Sequence, residues 1–128
     1  MNKFSKPTEA ELQILQILWE TGPSTVRFVN DKLNEEKRVG YTTSLKTMQI
    51  MFEKKLVKRN EESRTNIYEA NVKEEKVQKK LLDNFLDKTF KGSAKKLVMQ
   101  ALGNGKTSKK ELDEIRELLD KLEKGTEK

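Results

Sequence analysis

Tyr41-Thr42-Thr43-Ser44-Leu45-Lys46-Thr47-Met48-Gln49-Ile50-Met51-Phe52, followed by Leu56-Val57-Lys58-Arg59 and then Asn66-Ile67-Tyr68-Glu69-Ala70, is the stretch on which the fold turns. In the first run Leu45, Met48, Met51 and Phe52 recur at helical spacing and form the predicted inward stripe. Thr42 or Thr43 is the predicted cap, and the helix reaches about Lys55. The two later runs are short and strand-like. Asn60-Glu61-Glu62-Ser63-Arg64-Thr65 between them is polar and turn-prone, so the pair reads as a β-hairpin.

Upstream, Pro7-Thr8-Glu9-Ala10-Glu11 opens a first helix, with Thr8 and Glu11 spaced as a capping box. Leu12, Leu15, Leu18 and Trp19 recur at spacings of three and four, and Ile14 and Ile17 widen the stripe. Gly22-Pro23 stops it. Ser24 is the predicted cap of a second helix, about Thr25 to Glu35, with Val26, Val29 and Leu33 inward. Three short helices closed by a two-stranded hairpin describe a winged helix-turn-helix, helices two and three being the helix-turn-helix pair.

After Ala70 the composition shifts: residues 73–128 lack Trp, Tyr and Pro and read as helix throughout. A helix over about 74–90 carries Val77, Leu81, Leu82, Phe85, Leu86 and Phe90 on one stripe. Gly92 breaks it, and Ser93 caps the next, with Ala94, Leu97, Val98, Ala101 and Leu102 inward. After Gly103-Asn104-Gly105, Thr107 or Ser108 starts a last helix. Its Leu112, Ile115, Leu119 and Leu122 form a narrow seam, slightly widened by Leu118. Helices of this kind cannot hide their faces in so small a unit, which points to a homodimer. A monomeric bundle docked on the first domain is the competing arrangement. The expected architecture is mainly α with a small β-hairpin wing. Residues 1–72 form the winged-helix DNA-binding domain and 73–128 a helical dimerisation domain.

Leu, Ile, Val and Phe make up a quarter of the 128 residues, above the level at which disorder is the default reading. Charged residues make up 38%, so the core must be thin. Cysteine and histidine are absent, which excludes disulfides, thiol nucleophiles, zinc fingers and histidine acid–base catalysis. No cofactor and no metal are expected. No apolar run suits a signal peptide or a membrane span, so a cytoplasmic location away from the membrane is expected. The net charge is +6, and within 42–59 Lys46, Lys54, Lys55, Lys58 and Arg59 face Glu53 alone. Such a local basic patch suits double-stranded DNA.

On the third helix the period leaves Thr43, Ser44, Lys46, Thr47 and Ile50 on or beside the outward face, below Tyr41 and Thr42. Short hydroxyl side chains let a helix slide deep into a major groove, and the Thr methyls and Ile50 suit thymine methyls. A hydroxyl-capped helix with a polar face, as in any globular protein, is the plain alternative. At the hairpin, Arg64 is placed to reach the sugar–phosphate backbone or a minor groove, although Glu61 and Glu62 share the tip. Lys58 and Arg59 are the candidates for sequence-independent phosphate contact. Catalysis is not expected. The carboxylates are scattered at i,i+4 spacing from lysines, as in Glu111, Asp113, Glu114, Glu117 and Asp120, and no nucleotide-binding or nucleophile-elbow motif occurs.

The ordered set Pro7-Thr8-Glu9-Ala10-Glu11-Leu12, Leu15, Leu18-Trp19, Gly22-Pro23, Thr25-Val26, Tyr41-Thr42-Thr43, Leu45, Glu53-Lys54-Lys55-Leu56-Val57 and Tyr68 resembles the penicillinase-repressor (BlaI/MecI/CopY) family. Phe90-Lys91-Gly92-Ser93-Ala94-Lys95-Lys96-Leu97-Val98-Met99 is similar to the start of its dimerisation region. The resemblance implies a cytoplasmic bacterial repressor that binds a two-fold operator overlapping promoters. Carried over, Tyr41 to Thr47 begin the reading helix and Arg64 is the wing tip. Leu81, Leu82, Phe85, Leu86, Phe90, Leu97, Val98, Leu112, Ile115, Leu119 and Leu122 are the expected dimer contacts. Copper-responsive relatives carry paired Cys-x-Cys motifs, which a chain without cysteine cannot match. β-Lactam-responsive relatives are cut at Asn-Phe within Leu-Val-Leu-Asn-Phe. Here the corresponding stretch is Leu97-Val98-Met99-Gln100-Ala101, with Ala101 where the aromatic residue stands, so the cleavage specificity does not carry over. Gln100 and Ala101 remain the candidate cleavage region and a regulatory protease of different specificity a candidate partner.

Two rival functions stand beside the repressor: a winged-helix module docking an acidic protein, and an architectural DNA-coating protein. The modest net charge disfavours the second.

Overall fold

The computed structural model describes residues 6–62 and 64–126. Ser63, at the tip of the expected hairpin, lies outside the described residues. The chain divides into two compact units between Leu81 and Leu82.

In the first unit, α1 (Glu9–Thr21) starts at the expected capping box. The Thr8 amide donates to Glu11 Oε1 at 2.9 Å and the Glu11 amide to Thr8 Oγ1 at 3.1 Å. Glu11 is buried, yet its charge is met: Lys54 Nζ donates to both carboxylate oxygens at 3.0 Å. The pair joins the positive start of α1 to the negative end of the third helix, so both macrodipoles favour it.

Pro23 is followed by β1 (Ser24–Thr25) and α2 (Val26–Leu33). The helix cap is Thr25, whose Oγ1 accepts from the Phe28 amide at 3.1 Å, and not Ser24 as expected. Ser24 is buried and pairs with Tyr68 across the sheet, so its backbone is committed to a strand. An N-cap residue has extended dihedrals, so Thr25 ends the strand and caps the helix at once.

The expected two-stranded hairpin is therefore one part of a three-stranded antiparallel sheet, order β1-β3-β2, with β2 (Val57–Asn60) and β3 (Ile67–Ala70). The register pairs Val57 with Ala70 and Arg59 with Tyr68. The period of two then puts Val57, Arg59 and Tyr68 on the covered face and Lys58 on the other.

α3 (Tyr41–Glu53) begins two or three residues earlier than a Thr42 or Thr43 cap allows; its N-cap is Gly40, and no side chain caps it. Its buried stripe is Ser44, Met48 and Met51, while the expected inward residues Leu45 and Phe52 pack on the flanks, half-buried. Met48 and Met51, with Leu45 and Phe52 beside them, join Ile14, Leu15, Leu18, Val26, Val29, Leu56, Val57 and Tyr68 in one core. Trp19 closes its edge, donating Nε1–H to the Val72 carbonyl at 2.9 Å.

The end of α3 is a Schellman motif: the Leu56 amide bonds the Met51 carbonyl at 2.9 Å and the Lys55 amide the Phe52 carbonyl at 3.0 Å. The motif forces Lys55 to a φ of 67°, a conformation that favours glycine. Lys55→Gly is therefore expected to raise stability by about 0.5–1 kcal/mol, read as a higher urea midpoint at unchanged slope. A lower midpoint would show that the Lys55 side chain makes a compensating contact.

α4 (Glu74–Phe90) begins inside the first unit, where Val77 is fully buried. The second unit holds the rest of α4, α5 (Ala94–Gly103) and α6 (Lys109–Thr126). Ser93 caps α5 as expected, accepting from the Lys96 amide at 3.2 Å. At α6 the cap is Ser108, which exchanges bonds of 3.1 Å with Glu111 in a second capping box. Phe85 and Phe90 meet edge to face with centroids 5.7 Å apart. Even so, no side chain is buried among the described residues 82–125.

Candidate nucleic-acid interface

The outward face of α3 exposes Tyr41, Thr42, Thr43, Lys46, Gln49, Ile50 and Glu53. At a helical period Thr42, Lys46, Gln49 and Glu53 form one strip, with Thr43 and Ile50 beside it. The strip combines a cation, short hydroxyls, a carboxamide and an apolar tip, the side-chain types that read base edges in a major groove. The uncapped N-terminus leaves the first-turn amides to an anion, and the helix dipole favours a phosphate there.

Ser44, expected on this face, is not part of it. It is 1% exposed, and its hydroxyl accepts from Asn30 Nδ2 at 2.8 Å. Thr47 is half-buried and donates its hydroxyl to the Thr43 carbonyl at 2.9 Å, which leaves its methyl as the group to offer a ligand. Gln49 was missed by the pattern. An exposed amide three residues after Lys46 is the signal that could have found it, because Gln can bond adenine through two atoms.

Arg27 was also missed. It projects from the first turn of α2, and its guanidinium stands 5.2 Å from the centroid of the Tyr41 ring. The stacking holds a cation beside the start of α3. Nothing in the spacing of α2 and α3 announces this pair, because it forms across the turn between them.

In the wing Lys58 and Arg64 are exposed. Arg59, the expected companion of Lys58, turns to the opposite face. Its guanidinium stacks 4.1 Å from the Phe52 ring centroid and donates to Glu61 Oε2 from Nε at 2.9 Å and from Nη2 at 2.6 Å. The Glu61 carboxylate, and secondarily the Tyr68 hydroxyl, hold the guanidinium above its ordinary pKa. Arg59 thus braces the wing against α3. It also neutralises Glu61, one of the two carboxylates that would repel phosphate at the tip. Adjacent strand residues face opposite ways, so Lys58 and Arg59 cannot serve one phosphate row together.

Among the described residues no group of acidic side chains could hold a metal ion, and no helix is long and apolar enough to cross a membrane. The penicillinase repressor family model matches residues 7–121. The chain belongs to that family. It is a DNA-binding transcriptional repressor and not an enzyme. The chain is 25% identical over 123 residues to a penicillinase repressor of Staphylococcus aureus, covering 96% of this chain and 98% of that one. It is 24% identical to a penicillinase repressor of Bacillus licheniformis, over 94% of each chain. The solved DNA-binding domain of the repressor BlaI superposes with a TM-score of 0.51 at 20% identity, over 58% of this chain and 90% of that one. That likeness supports the winged-helix fold of the repressor's first unit.

Proposed function

We propose that two copies of this repressor, joined through residues 73–128, each place an α3 helix in a major groove of a two-fold operator, the half-sites lying about one helical turn or a small multiple apart, and block transcription by occupying promoter DNA. The observation that carries the dimer is the bare apolar surface of the second unit. Leu82, Phe85, Val98, Leu118, Leu119 and Leu122 are each about half exposed, at 46–56%. Leu112 is also exposed, and Leu86, Phe90, Leu97 and Ile115 are half-buried. A small helical unit with no buried side chain among its described residues needs a partner to complete a core, and a second copy offers the matching seam.

In this reading residues 1–72 bind DNA. Leu81, which falls in the first unit, extends the dimer surface along α4. Arg27, Lys46, Lys58 and Arg64 take phosphates, while Thr42, Thr43, Gln49 and Ile50 meet base edges. Agents that cut or loosen the second unit relieve repression. Gln100 and Ala101 are exposed but lie within α5, so a protease must open that helix before cutting there. The setting is the cytoplasm.

Footprinting on the DNA upstream of the protein's own gene tests the reading. Two protected half-sites, centred about one helical turn or a small multiple apart, are expected. Equal protection of all duplexes would favour the acidic-partner module or a DNA-coating protein instead.

A further inference from the structure

The start of α3 has no cap of its own, yet something must hold it, because base readout depends on how the helix enters the groove. The holding groups come from α2. Both side-chain N–H groups of Asn30 are used: Nδ2 donates to the Val39 carbonyl at 3.0 Å and to Ser44 Oγ at 2.8 Å. Asn34, the C-cap of α2, completes the latch. Its Nδ2 donates to the Asn30 carbonyl at 2.7 Å and to the Val39 carbonyl at 2.8 Å, and its Oδ1 accepts from the Val39 amide at 3.0 Å. Val39 immediately precedes Gly40, the N-cap of α3.

Asn30 is the member of this set that reaches both sides of the joint. One bond goes to the turn and the other to the buried first turn of α3. Ser44 is 1% exposed and shares the buried stripe of α3 with Met48 and Met51, where a hydroxyl without a partner is costly. Its bond to Asn30 is therefore satisfied only at one setting of α3 against α2. We propose that Asn30 is a positioning residue: it sets how α3 meets the groove, and so the discrimination between operator and random DNA, without contacting base or phosphate. The proposal rests on the operator reading given above.

The test uses the full chain and compares Asn30→Ala, Ser44→Ala and the double variant. Affinity is measured for the footprinted operator and for a random duplex of equal length, at one salt concentration and then across a salt series. Helix content is followed by circular dichroism. Asn30→Ala is expected to lower operator affinity roughly 10–100-fold, the cost of one or two mismatched base pairs. Random-duplex affinity and its salt slope should stay within about twofold, because the phosphate-binding cations are untouched. Ser44→Ala keeps both tethers on Val39, so it should fold even if Asn30→Ala does not. It should shift the same ratio in the same direction by a smaller factor, and the double variant should fall short of the product of the two. An equal fall on both duplexes, or an unchanged ratio in Ser44→Ala, would overturn the positioning role. A wild-type chain with no preference for any duplex would overturn the operator reading itself and this proposal with it.

Discussion

Ending the chain at Leu81 is expected to leave a folded monomer whose operator affinity is about 10²–10⁴-fold below that of the full chain. The fragment keeps the core, the Trp19 bond to Val72 and the buried Val77, all of which lie before the cut. A fragment ending at Ala70 would lose the last two and confuse instability with loss of dimerisation. What the Leu81 fragment lacks is the surface carrying Leu82, Phe85, Val98 and Leu119. Without it, the second half-site is no longer held close by the first, and the gain from intramolecular binding disappears. Sedimentation should show the fragment as a single copy and the full chain as twice 14.9 kDa at micromolar concentration. Equal operator affinity of the two would sink the dimer.

The second large effect is that of salt. If Arg27, Lys46, Lys58 and Arg64 each neutralise a phosphate, a dimer makes about eight such contacts, and affinity should fall roughly 10³–10⁵-fold between about 50 and 200 mM salt. Lys58→Ala or Arg64→Ala removes two contacts per dimer and should flatten the log–log slope by about 1.8. Arg59→Ala should leave the slope nearly unchanged, since its guanidinium is already occupied by Glu61 and Phe52. Thr43→Ala and Gln49→Ala should instead relax sequence preference at constant slope. Affinity that ignores salt would remove all four cations from the interface.

The order of the helices and of the two hairpin strands, the capping box of α1, the change from helical to strand period after α3 and the apolar seam of α6 were all legible in the sequence. Each is written within one turn or a few strand residues, the distance over which local pattern carries information. So was Lys46 on the outward face, because the stripe opposite it is strongly apolar. β1 was not legible, because two residues are too few to show a period and its strand character exists only through pairing with Ile67 and Tyr68. Nor was the burial of Ser44, a polar residue that turns inward because Asn30, fourteen positions away, supplies its bond. Arg59 looked like a free cation for the same reason: its stacking partner Phe52 lies on another element. Sequence by itself determined the helices and the two hairpin strands and marked where basic residues cluster. Only the tertiary structure decided which polar groups reach DNA and which are consumed in holding α3 and the wing, since a hydrogen bond is settled by proximity in space and proximity is made by the fold.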